Sequence, residues 1–187
     1  MPFQKTEISG VQLFRPTVFE DSRGAFFESF KSEEICEEFG PFVVEQMNNS
    51  VSRKGVIRGV HFKRNPPGQV KFVSVHFGAI FDVVIDLRKS SPTFQEWQGF
   101  LLSAENKQSL LIGNGVGHAF LSLETGARVS YLCNSPFEPE KEFNINPMNA
   151  GIDWAEVALA HGISKFDVSE RDQGAPALAD SENLWFE

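Results

Sequence analysis

One tyrosine stands among 19 phenylalanines and 3 tryptophans in a chain of 187 residues. Phenylalanine therefore carries the aromatic packing, and the single phenol, Tyr131, draws attention to its hydroxyl. Cysteine is nearly absent. Cys36 and Cys133 are the only two, too few for a disulfide framework, so a reduced cytoplasmic setting is expected. No apolar run approaches the roughly 18 residues of a membrane span. The N-terminal stretch, which includes Lys5 and Glu7, lacks the apolar segment of a signal peptide. Positive charge is in deficit, with 17 Lys+Arg against 25 Asp+Glu and a formal net charge of −8. That balance argues against general nucleic-acid binding, which needs a basic face to displace counterions from phosphates. Any anionic ligand must be met by a local cluster of cations instead.

Several motifs are also missing. No repeat of 20–50 residues and no low-complexity tract is present. There is no Gly-x-Ser-x-Gly elbow, no Gly-x-Gly-x-x-Gly after a strand and no phosphate-binding Gly-x-x-x-x-Gly-Lys-Ser/Thr loop, which removes the usual signs of serine hydrolysis, nicotinamide binding and ATP binding. Of the four histidines, His61, His76, His118 and His161, none forms His-x-His or has a carboxylate at metal-ligand spacing. Zinc or iron needs three or four convergent ligands, so no metal is expected.

What is present is a series of short runs rich in Val, Ile and Phe, bounded by Gly, Pro, Asn and Ser. They cover residues 10–14, 24–30, 56–62, 70–77, 79–87, 98–102, 109–112, 118–123 and 128–133, and they read as strands. In 69–76 the alternation puts Lys71, Val73 and Val75 on one face and Val70, Phe72, Ser74 and His76 on the other. One helix is expected at 32–38, with Ser32 as cap and Glu33 and Glu34 in its first turn, and another at 154–161. Strands at this spacing without intervening helices predict a sandwich or a barrel. The length suits one domain over 1–187, in which 155–187 forms an extension that wraps the barrel rather than a disordered tail.

Two histidines have a suggestive setting. His61 ends the run Arg58-Gly59-Val60-His61-Phe62 before a Pro-rich turn, and His118 follows the small residues of Gly115-Val116-Gly117. Arg23, Arg58 and Lys71 are cations near the suspected site, suited to phosphate and oxyanion contacts. Acid–base chemistry on an anionic ligand is the reading that survives.

The motifs resemble those of the dTDP-4-dehydrorhamnose 3,5-epimerases of the cupin superfamily. The matching segments are 19–30 (FEDSRGAFFESF), 45–62 (EQMNNSVSRKGVIRGVHF), 81–94 (FDVVIDLRKSSPTF), 102–110 (LSAENKQSL) and 115–120 (GVGHAF). Weaker matches lie at 131–139, 151–154 and 169–176. The resemblance implies a mainly β, cupin-type double-stranded β-helix, or jelly-roll barrel, with a few short helices. It implies a homodimer that uses no cofactor and takes a dTDP-4-keto-6-deoxyhexose. The C4 ketone acidifies the C3 and C5 protons, a base removes one and keeps it, and an acid delivers a proton of its own to the opposite face of the enolate.

By the same resemblance His61 is the base, Asp172 the carboxylate that orients it, Tyr131 the acid and Lys71 the group near the keto oxygen. His118 and Asp82 fall on further pocket positions. Arg23, Glu28, Gln46, Asn48, Arg58, Glu142 and Arg171 fall on nucleotide- or diphosphate-contacting positions, some of them lent by the partner subunit. Relatives often carry a second pocket tyrosine where this chain has Phe137. The segment 144–147 (NINP), with Pro66-Pro67-Gly68-Gln69, is closer to members of antibiotic pathways, some of which invert one centre only. An epimerase of C3, C5 or both is the leading expectation, and a non-catalytic sugar-nucleotide-binding barrel is the alternative.

Overall fold

A computed structural model describes residues 3–40, 42–64 and 68–187, with the side chains of 36–39 left aside. The expectations for Pro66, Pro67 and the Cys36 thiol lie outside the described residues. In chain order the strands are β1 (Phe3–Lys5), β2 (Val11–Phe14), β3 (Val18–Asp21), β4 (Gly24–Phe27), β5 (Gln46–Ser52), β6 (Val56–Lys63) and β7 (Lys71–Phe77). They continue with β8 (Ala79–Asp86), β9 (Trp97–Ser103), β10 (Ser109–Ile112), β11 (Val116–Ser122), β12 (Ala127–Cys133), β13 (Glu142–Asn144) and β14 (Asp167–Val168). The α-helices are α1 (Ser32–Phe39), α2 (Trp154–Ala160) and α3 (Glu170–Gln173).

Two sheets face each other. One runs β1-β2-β10-β7-β12-β5, and the other runs β13-β6-β11-β8-β9 with β14 added parallel to β6. Every other pairing in both sheets is antiparallel. This is the jelly-roll sandwich the resemblance implied.

Alternation along the strands sorts the side chains into three layers. Between the sheets lie Leu13, Val73, Val75, Leu110 and Val129 from the first and Ile80, Val84, Leu102 and Phe120 from the second. The outer face of the second sheet, with Val60, Phe62, Val83, Ile85 and Leu121, is covered by Trp154, Val157, Ile163, Phe166, Leu178, Trp185 and Phe186. The segment after Trp154 therefore packs along that sheet. The outer face of the first sheet is partly covered by Ile35 and Phe42, against Phe14, Phe72 and Leu111.

One expectation was incomplete. β5 was not among the anticipated strands, because Gln-Met-Asn-Asn-Ser-Val-Ser has little β-branched character. It forms because β12 supplies a full antiparallel ladder, from Ala127 opposite Ser52 to Cys133 opposite Gln46.

Candidate active site

The inner layer changes character toward one end of the sandwich. On β7 the inward series runs Val75, Val73, Lys71, and on β12 it runs Val129, Tyr131, Cys133. The apolar core thus gives way to polar groups around a cavity of about 300 Å³. Gln46, Asn48 and Ser50 line it from β5, Arg58 and His61 from β6, Lys71 from β7, His118 and Phe120 from β11, and Tyr131 from β12. Glu142 and Phe143 of β13, Gln69, Phe137 and Arg171 complete its rim.

Arg58 and His61 are three residues apart, a spacing that ought to put them on opposite faces of a strand. Both line the cavity because β6 carries a bulge. His61 pairs with His118 and Arg58 with Phe120, so three steps on β6 match two on β11. Gly59 is the extra residue. Its φ is +127°, and a Cβ there would lie 2.4 Å from that of Ala119, so only glycine fits. The sequence Arg-Gly-Val-His is thereby read as two inward side chains.

Asp172 reaches His61 from the far end of the chain. Its Oδ1 accepts from His61 Nε2 at 2.8 Å and from Asn144 Nδ2 at 3.0 Å, and its Oδ2 accepts from Gly59 N at 3.5 Å. Ser169 caps α3 by accepting from Asp172 N, which sets the carboxylate on the first turn. Burial alone would raise the Asp172 carboxyl, but the hydrogen bond and charge of His61, with Ser169 and Gly59, hold it below its ordinary value. A carboxylate can only accept, so Nε2 is the donor and Nδ1 is left free to take a proton.

A second His–Asp pair lies behind the first. His118 Nε2 is 2.8 Å from Asp82 Oδ2, both are buried, and Asp82 Oδ1 has no hydrogen-bond partner among the described residues. Burial pushes the Asp82 carboxyl up, against the opposing pull of His118. Asp82 was expected to face the pocket. At 0% exposure it touches His118 instead and cannot meet a ligand directly.

Lys71 is buried, its Nζ donating, among the described residues, a long 3.4 Å bond to the His61 carbonyl, and burial lowers the pKa of its ammonium. Burial, then the nearby Cys133 sulfur, raises the Tyr131 phenol, with Arg58 pulling the other way. Tyr131 is therefore a neutral O–H at neutral pH, able to donate a proton. The buried Cys133 thiol is pushed up to about 11 by burial and is inert as a nucleophile.

The site thus gathers His61, Asp172, Tyr131, Lys71, His118, Gln46, Asn48, Arg58, Glu142 and Arg171. It does not gather Arg23 and Glu28. Arg23 sits on the turn of the β3–β4 hairpin, paired with Asp21 at 2.5 Å, and Glu28 lines a separate hollow beside Phe14 and Lys31. Sequence reasoning missed Asn144, which faces His61 across β13–β6, donates to Asp172 and accepts from Arg171 Nη2 at 2.7 Å. Its segment stood out only as NINP, and a three-residue strand has no periodicity to reveal its role.

A family model described as dTDP-4-dehydrorhamnose 3,5-epimerase matches residues 5–180. The dTDP-4-dehydrorhamnose 3,5-epimerase of Mycolicibacterium smegmatis is 42% identical over 97% of this chain and 88% of its own length. The structure of the rmlC epimerase of Mycobacterium tuberculosis superposes with a TM-score of 0.91 at 34% identity, over 98% of this chain and 92% of that one. ChmJ, a 3'-monoepimerase from Streptomyces bikiniensis solved with dTDP-quinovose, gives 0.86 at 37%, over 96% and 89%.

Proposed function

Because the chain belongs to the dTDP-4-dehydrorhamnose 3,5-epimerase family, we propose that it epimerises a dTDP-4-keto-6-deoxyhexose by proton removal and return. The observation that carries this reading is the His61–Asp172 pair at 2.8 Å, opening onto a cavity that also holds Tyr131 and Lys71. His61 Nδ1 removes the proton on the carbon next to the ketone, and Asp172 steadies the imidazolium that results. The enolate oxygen lies against the Lys71 ammonium, which among the described residues donates one long bond and so leaves its charge available. Tyr131 returns a proton from the other side of the ring. Arg58 and Arg171 at the rim meet the diphosphate.

We further propose that the active form is a homodimer in the cytoplasm. Arg23 and Glu28 lie outside the cavity of their own chain, on or beside a hairpin that exposes Phe19 and Phe26. A hairpin lent to a second copy would bring those residues to a site. Among the described residues no helix is long and apolar enough to cross a membrane.

Inversion of one centre only is the second reading. It is favoured by the match to a 3'-monoepimerase and by Phe137 at the rim, which leaves Tyr131 as the one phenol in the cavity. NMR of dTDP-4-keto-6-deoxyglucose in heavy water tests both. Deuterium at C3 and C5 marks a double epimerase, at one carbon a mono-epimerase, and at neither overturns the catalytic reading.

A further inference from the structure

We infer that Lys63 is a positioning residue for substrate binding, acting through the segment that carries Phe137. Lys63 sits two residues beyond His61 on β6, and its side chain is only 2% exposed. A buried ammonium is tolerated only when oxygens surround it. Here Nζ donates to the Pro136 carbonyl at 2.6 Å, contacts Ser135 Oγ at 3.4 Å and pairs with Glu138 Oε2 at 2.6 Å. All three partners lie in the short connection between β12 and β13. Glu138 is held in turn by Lys141 at 2.5 Å.

The same connection is tied to the cavity on two other sides. Gln69 Nε2 donates to the Ser135 carbonyl at 3.1 Å, and Gln46 Oε1 accepts from Phe137 N at 2.6 Å. Gln46 then donates through Nε2 to Asn48 Oδ1 at 2.8 Å. Phe137 itself is 55% exposed, yet it lines the cavity. An exposed aromatic ring has little packing of its own to fix it, so its place at the mouth is set by the backbone on either side. Lys63 bonds that backbone directly at Pro136 and indirectly through Glu138. It therefore holds Phe137, Gln46 and Asn48 as one wall against which the substrate rests, while the His61–Asp172 pair is anchored separately through Ser169 and Asn144.

This inference rests on the epimerase reading and predicts a specific split. Lys63→Met keeps the stem and removes the charge. It is expected to raise KM for dTDP-4-keto-6-deoxyglucose about tenfold, as loss of one charge-assisted bond allows. The rate of deuterium uptake at saturating substrate stays within about twofold of wild type. Lys63→Arg, which keeps a cation for the three oxygens, recovers most of the loss. Glu138→Gln, at the half-buried outer end of the clamp, shifts KM the same way by about threefold. A folded Lys63→Met with unchanged KM, or with its loss confined to kcat, overturns the assignment. Should thermal unfolding show that Lys63→Met does not fold, an unchanged KM in Glu138→Gln overturns it alone. If the wild-type protein takes up no deuterium, the catalytic reading fails, and the clamp is judged by calorimetric Kd for the same nucleotide sugar in the three variants.

Discussion

Two His–Asp pairs stand side by side in this molecule, on histidines that face each other across β6 and β11, and both are closed at 2.8 Å. Their carboxylates nevertheless move in opposite directions. Asp172 has accepted bonds on both oxygens and is lowered, whereas Asp82 has one oxygen without a hydrogen-bond partner among the described residues and is raised. The contact to histidine is the same, so the surroundings decide. A carboxylate supplied with donors keeps its charge and can support an imidazolium, while one sealed in the core resists ionisation. On the proposed reading the first pair serves proton transfer, and the second holds His118 in place.

The strongest way to break this contrast is to remove the base. His61→Ala is expected to lower deuterium uptake by on the order of 10³-fold, within the usual range for general-base loss. Uptake at the wild-type rate would reassign the base. Asp172→Asn follows, with an expected fall of about 10²-fold from loss of tautomer control and imidazolium support. Asp82→Asn should cost less than about tenfold, because the raised carboxyl already has weak hold on its charge. If the two Asn variants fall in the reverse order, the pairs have been assigned the wrong way round.

The pairs also differ in the pH dependence of stability. Asp172 is depressed below 3.8, so its contribution is present above that value and lost as pH falls through the lowered one. Asp82 is raised above 3.8, so its charged form opposes folding at neutral pH, and that opposition is relieved on acidification. Acid unfolding followed by circular dichroism should therefore show Asp172→Asn less sensitive to low pH than wild type and Asp82→Asn more so. Lys71 adds the smallest effect. Its ammonium is lowered by burial, so Lys71→Met is expected to raise Tm slightly while reducing kcat, a trade that thermal unfolding and steady-state rates together detect.

Much of the site was legible because its residues sit in strands with strong patterns. Lys71 falls on the same face as Val73 and Val75, and Tyr131 follows Val129 by two, so alternation groups each with its apolar neighbours, and the packing makes that face the inner one. His61 and Arg58 stood out by their motif, but that both face one cavity was not legible, since their spacing contradicts alternation until the Gly59 bulge is known. β5 was hidden because pairing with β12, not its own polar sequence, makes it a strand. Asn144 was hidden by the brevity of β13, and the burial of Asp82 by a face assignment that depends on what packs above it.

Composition and pattern by themselves determined a strand-rich chain, one available phenol and the condition that any anion site be local, because the whole chain is acidic. These follow from properties each residue carries anywhere. Only the tertiary structure decided which histidine has a supported carboxylate, which carboxylate is sealed away and which cation holds the Phe137 segment. Those outcomes depend on burial and on partners about 36 to 111 residues distant in the chain, and neither is a property of any local stretch of sequence.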